Sequence, residues 1–168
     1  KLAKLIEKAG ADRFSFADTV GVLHPEKVSS IFSRLATEIK IPIHGHFHND
    51  FGLATANALQ AIQSGATCVD VTVNGLGERC GISSLAEVTT SLDELFHVKN
   101  SWNFKILNDI SSYVGKISNI SDYDTRPITG KNAFTHNAGL HVSSVIKDGA
   151  LYEPIDPAKF NRKRRHYI

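Results

Sequence analysis

The segment His44-Gly45-His46-Phe47-His48-Asn49-Asp50 concentrates the side chains best suited to chemistry. Alternate residues of a strand share a face, and i to i+2 spans roughly 6.5–7 Å. Imidazoles at His46 and His48 can therefore meet on one metal ion, each through a neutral nitrogen. The same pattern also describes a polar strand end. Two ligands are too few for a catalytic site, which needs a carboxylate or a further histidine from elsewhere. A second segment is Asn74-Gly75-Leu76-Gly77-Glu78-Arg79-Cys80-Gly81. Its glycines permit a tight turn. Glu78 joins the catalytic candidates as a carboxylate that orients a ligand or a base. Cys80 is a candidate thiol nucleophile that reads more simply as an inert cysteine. The glycine spacing is one residue too long for a dinucleotide fingerprint, and no following parallel strand completes that unit. A third segment carries His136, His141 and Tyr152, which suit general acid–base roles and also suit plain structural ones.

These residues need a frame. Residues 12–19, 41–48 and 68–73 read as strands, with Pro42 tolerated at the start of the second. Pro25 opens a helix that places Val28, Ile31, Phe32, Leu35 and Ile39 on one face. Residues 53–64 form a small-residue helix stopped by Gly65, and residues 83–96 a further helix capped by Ser83 or Ser84. The strand starts lie 29 and 27 residues apart, the size of one strand–helix unit of a parallel α/β protein. Periodicity alone does not separate a barrel from a doubly wound sheet. Both place active sites where the histidine pair falls, at the C-terminal ends of strands. Beyond Asn100 the rhythm changes: a helix over 104–117, a polar linker over 118–133, and a helix over 134–147.

Composition removes several function classes. The 168 residues include no methionine, and the run KLAKLIEKAG opens as the middle of a helix, so the reading is a fragment or a processed piece. Hydrophobic content of 42% and charged content of 21% are globular values, which argues against disorder. No apolar run reaches the ~18 residues of a membrane span, and no signal peptide opens the chain. Two cysteines are too few for a disulfide framework, so a reducing cytoplasm is expected. Arg162, Lys163, Arg164 and Arg165 supply four of the 19 basic residues; without them 15 basic residues face 17 acidic ones. No basic stripe or stacking aromatics accompany that cluster, so a nucleic-acid partner is not expected.

Taken together, the motifs resemble one family. ADTVG (17–21), HFHNDFGLATAN (46–57), VNGLGERCG (73–81) and FTHNAGLH (134–141) occur in the order seen in 2-isopropylmalate and homocitrate synthases. These belong to the metal-dependent TIM-barrel acyltransferases and lyases that include the HMG-CoA lyases. The resemblance covers essentially the whole chain. It implies that residues 1–100 are the C-terminal part of a (β/α)8 barrel, with its last three strand–helix units over 12–96. Residues 101–168 would be a linker and the start of a mainly helical C-terminal subdomain. A whole barrel takes ~250 residues, so the expected acidic metal ligand, and an arginine before it on the first strand, would lie outside this chain.

The resemblance also implies the chemistry. A divalent ion (zinc, manganese or magnesium) binds a 2-oxo acid, and acetyl-CoA is the co-substrate. His46 and His48 match the metal ligands, and Thr19 matches the threonine on the substrate carboxylate. His141 and Tyr152 match the acid–base histidine and tyrosine, whose glutamate partner would lie outside the chain. The subdomain histidine serves the neighbouring subunit, which implies a homodimer. Ala17, Phe47 and Ile82 resemble homocitrate synthases, whose acceptor is 2-oxoglutarate. The ending EPIDPAKFNRKRRHYI resembles the isopropylmalate and nitrogenase-associated homocitrate branch, and His44 stands where fungal homocitrate synthases use a glutamate to bind lysine. Isopropylmalate, citramalate and Re-type citrate synthases stay open, as do an HMG-CoA-lyase-like enzyme and an inactive fragment. Alone, the 168 residues are expected to be inactive and poorly folded, because three units leave sheet edges open.

Overall fold

A computed structural model describes residues 1–120 and 123–166. Ser121 and Asp122 of the predicted linker, and the terminal Tyr167 and Ile168, lie outside the described residues. The chain divides into two compact units, Lys1–Ser91 and Leu92–Ile168.

Helix α1 (Leu2–Lys8) precedes three strand–helix pairs: β1 (Phe14–Asp18) and α2 (Pro25–Glu38), β2 (Ile43–Phe47) and α3 (Ala54–Gln63), and β3 (Cys68–Val69) and α4 (Leu85–Glu94), and all but the last turn of α4 falls in the first unit. The strands pair in parallel in the order β1-β2-β3. Each predicted strand–helix unit is present. The alternation of β1 and β2 sorts their side chains between two faces. Phe16 and Phe47 turn to the helical side, where Phe32 of α2 meets both rings at centroid distances of 5.6 and 5.8 Å. Gly45 lies beneath those rings, and a Cβ there would stand 2.7 Å from Phe47 and 3.2 Å from Phe32. Val28 and Phe32 are fully buried, as are Ala54, Ala58 and Ala61 of α3, whose small side chains let that helix pack closely. The other face carries Ser15, Ala17, His44 and His46, paired Ser15 to His44 and Ala17 to His46. One face is thus an apolar helix-covered layer, and the other holds the polar chemistry.

The third strand is shorter than the predicted 68–73. Pairing with β2 ends when the Asp70 amide donates to the Gly45 carbonyl (2.9 Å). Thr72 then exchanges backbone hydrogen bonds with Ser83 and Leu85, and Val73–Gly75 forms a 3₁₀ turn with Asn74 at φ +59°.

In the second unit the predicted helix over 104–117 is a 3₁₀ turn (Phe104–Ile106) running into α5 (Leu107–Ser118), and Asn119 at φ +54° ends it. The predicted helix over 134–147 begins only at Gly139. Thr135–His136 forms β4, which pairs in parallel with β5 (Arg165–His166), and α6 spans Gly139–Lys147. The backbone at Thr135–His136 is extended because it pairs with Arg165–His166, the Arg165 amide donating to the Phe134 carbonyl (3.0 Å). Phe104, Phe134 and Phe160 make the aromatic core of this unit, with ring centroids 6.0 and 5.9 Å apart. No helix among the described residues is long and apolar enough to cross a membrane.

Candidate functional site

Strand β2 delivers His46 and, one residue beyond its end, His48 to the same side. Their Nε2 atoms stand 3.2 Å apart. Two nitrogens each ~2.0–2.1 Å from one ion lie about 3–3.4 Å apart, so this pair has the spacing of two ligands on one metal. His46 Nδ1 donates to Asp70 Oδ2 (2.7 Å). That proton fixes the tautomer and turns the Nε2 lone pair toward His48 Nε2, the direction from which both could coordinate one ion. His48 is buried, and its Nδ1 has no partner among the described residues. The pair therefore fits a metal. Among the described residues no group of three His, Cys, Asp or Glu side chains completes such a site.

Asp70 organises this face. Its other oxygen accepts from His44 Nε2 (2.9 Å), and His44 Nδ1 meets the Ser15 hydroxyl. Partial burial raises the Asp70 carboxyl, but hydrogen bonds from His46 and then His44 outweigh it and hold it below the usual carboxylate range. Sequence reading gave the orienting role to Glu78 and passed over Asp70. The available signal was position: Asp70 is two residues beyond Cys68, which pairs with His44 and so shares its face. Glu78 is exposed, and among the described residues no hydrogen bond or ion pair joins its side chain to the histidines.

Arg79 ties three strand-end loops together. Its Nε and Nη2 donate to the two Asp50 oxygens (2.7 and 2.8 Å), and Nη2 also donates to the Thr19 carbonyl (2.9 Å). The guanidinium holds the Asp50 carboxyl below the usual range. Thr19 is exposed beside the buried Asp18, whose carboxylate accepts from the Val22 and Leu23 amides. The Asn49 side chain accepts from the Ala54 amide at the start of α3 (3.1 Å), so the residue after His48 anchors the helix that follows. Cys80 is exposed and unpaired.

The second unit brings His141 and Tyr152 together, with rings stacked 4.3 Å apart at 28°. The neighbouring Glu153 is almost wholly buried. It accepts from Arg164 (Nη2 to Oε2 2.6 Å) and lies 2.9 Å from His136 Nε2. His136 is thus part of the clamp on Glu153, the residue after Tyr152. Burial raises the Glu153 carboxyl, but Arg164 and then His136 pull it below its ordinary value. A depressed carboxylate adds stability above its unfolded pKa of about 4.3, and that stability is lost as pH falls through the folded value. Glu153→Gln should therefore cost about 1–3 kcal/mol near neutral pH, and the gap to wild type should close in acid. Urea unfolding of the full-length protein, followed by circular dichroism at neutral and acid pH, measures it.

The HMGL-like family model matches residues 1–114, and the homocitrate synthase post-HMGL domain-like model matches residues 128–168. Homocitrate synthase of Pyrococcus abyssi is 44% identical over 98% of this chain and 45% of its own length. The (R)-citramalate synthase of Methanocaldococcus jannaschii is 42% identical over 95% of this chain and 32% of its own. The 2-isopropylmalate synthase of that organism is 43% identical over 94% and 30%. The chain thus spans between 30% and 45% of the length of these relatives. The hydroxymethylglutaryl-CoA lyase of Pseudomonas aeruginosa superposes with a TM-score of 0.63 at 23% identity, over 72% of this chain and 42% of that one. This likeness shows the fold: the first unit is part of a (β/α)8 barrel.

Proposed function

Because this chain belongs to the HMGL-like family, we propose that the full-length protein is an acyltransferase that condenses acetyl-CoA with a 2-oxo acid. We infer that the acceptor is 2-oxoglutarate and the product homocitrate. The observation that carries the reading is the approach of His46 and His48 to 3.2 Å with Asp70 behind His46. A divalent ion held by this pair, and by a carboxylate from outside these 168 residues, would supply Lewis acidity at the keto carbonyl. Thr19, on the adjoining loop, binds the acceptor's carboxylate. His141 and Tyr152 move the protons: one leaves the acetyl methyl group, and one is delivered to the oxygen of the attacked carbonyl. Hydrolysis of the thioester then releases coenzyme A. Asp70 orients His46, and Glu78, exposed on the turn after β3, is left to orient a ligand or base other than the histidine pair.

In this reading residues 1–100 are barrel and residues 101–168 begin the subdomain that serves the second copy of a cytoplasmic homodimer. The acceptor is the finer part of the proposal, because homocitrate, citramalate and isopropylmalate synthases share nearly equal identity with the chain. Thiol release compared across 2-oxoglutarate, 2-oxoisovalerate, pyruvate and oxaloacetate tests it. Highest kcat/KM with 2-oxoglutarate is expected, and clear preference for another acceptor removes the homocitrate assignment. HMG-CoA cleavage with no 2-oxo acid present would instead favour a lyase.

A further inference from the structure

The second unit holds a concave site of about 950 Å³ that the proposed reaction does not use. Its wall is formed by α5, the 123–131 segment and the run leading into β5. Among the described residues five cations line it, Lys116, Lys131, Arg162, Lys163 and Arg165, against one carboxylate, Asp124, which lies 3.8 Å from Lys131. Lys116, Lys163 and Arg165 have no carboxylate within ion-pair distance among the described residues. Extended backbone splits the basic run by alternation. Arg164 turns to the buried Glu153, while Lys163 and Arg165 are left exposed on the pocket side.

Arg162 is a different case. It donates to the carbonyls of Ile128, Gly130 and Lys131 and lies 5.3 Å over the Phe134 ring. These carbonyl dipoles occupy Nη1 and Nη2 but do not cancel the charge. Burial, and then the charge of Arg165, depress its pKa, which marks an environment short of negative charge. Like charges gathered in a concave, partly desolvated wall repel one another, and an anion relieves that repulsion. The volume suits a ligand larger than one phosphate. Neutral donors such as Ser112 and Asn119 on the same wall add hydrogen bonds that a point anion would not need.

We propose that this face of the second unit binds a nucleotide-class anion through its phosphates, with Lys116, Lys131, Lys163 and Arg165 as the contacts. Two sources share that chemistry: the nucleotide end of an acyl-CoA, and a free nucleotide. The first rests on the function proposed above; the site itself does not.

The test is direct binding to the full-length protein at low ionic strength, with 3′,5′-ADP and inorganic phosphate as probes. Saturable 3′,5′-ADP binding is expected, weakened by salt and at least about tenfold weaker in the Lys116→Ala/Lys163→Ala double variant. Lys147→Ala, at the end of α6 and outside this wall, should change affinity by less than about twofold. If the double variant also raises KM for acetyl-CoA, the acyl-CoA is the source; an unchanged KM with weakened binding assigns the site to a free nucleotide. Absence of saturable binding, or binding that the double variant leaves unchanged, overturns the proposal whether or not the protein turns over acetyl-CoA.

Discussion

Replacing either His46 or His48 with alanine should abolish metal retention and lower turnover of the full-length protein by at least ~10³-fold. The magnitude follows from the several kcal/mol that a Lewis acid contributes to a polarised transition state. Their Nε2 atoms are 3.2 Å apart, and among the described residues no third His, Cys, Asp or Glu joins them, so loss of either removes half of the ligands seen here. Asp70→Asn should be milder, about 10–100-fold, because it disturbs the tautomer and orientation of His46 while leaving both imidazoles in place. Metal content after gel filtration, measured beside kcat and far-ultraviolet circular dichroism, separates loss of a ligand from loss of fold. Full activity with undiminished metal in either alanine variant would refute the assignment.

Gly81→Ala should produce the largest effect among substitutions that touch no proposed ligand. Gly81 adopts φ +84°, and a Cβ there would lie 1.8 Å from the Gly75 carbonyl oxygen. That oxygen belongs to the backbone and accepts from the Ile82 amide (3.0 Å), so it cannot simply swing aside. The Gly81 carbonyl in turn accepts from the Asn49 amide (2.9 Å), directly beyond His48. The strain and clash together should cost about 2–4 kcal/mol. The turn would shift, taking with it the hold on the 48–50 segment and the Arg79 clamp on Asp50 and Thr19. A displacement of about 1 Å at reacting groups is worth on the order of 10² in rate. Thermal unfolding and kcat/KM of the full-length variant test both expectations.

Much of this arrangement was legible in the sequence because it depends on short-range geometry. The His-x-His pair needs only the two-residue period of a strand, and the strand–helix rhythm needs only the spacing of apolar faces. The missed features depend on register between distant segments. Asp70 became an orienting residue because β3 pairs Cys68 with His44, a relation that no local pattern states. The extended backbone at Thr135–His136 was misread as helix because its partner, Arg165–His166, lies far along the chain. The basic run looked like one patch until alternation divided it between the Glu153 clamp and the cavity wall. Recognition of the family came from four motifs in order, and the fold likeness agrees with it. The acceptor is the finer reading because Ala17, Phe47 and Ile82 resemble homocitrate synthases while the chain's ending resembles another branch, and the relatives share nearly the same identity.

The measurement that tests the account most directly is coenzyme A thiol release by the full-length protein before and after chelation. Release should require acetyl-CoA and a 2-oxo acid together, disappear when divalent ions are removed, and return when they are restored. Thiol release that needs no 2-oxo acid, or that survives complete chelation, would contradict it.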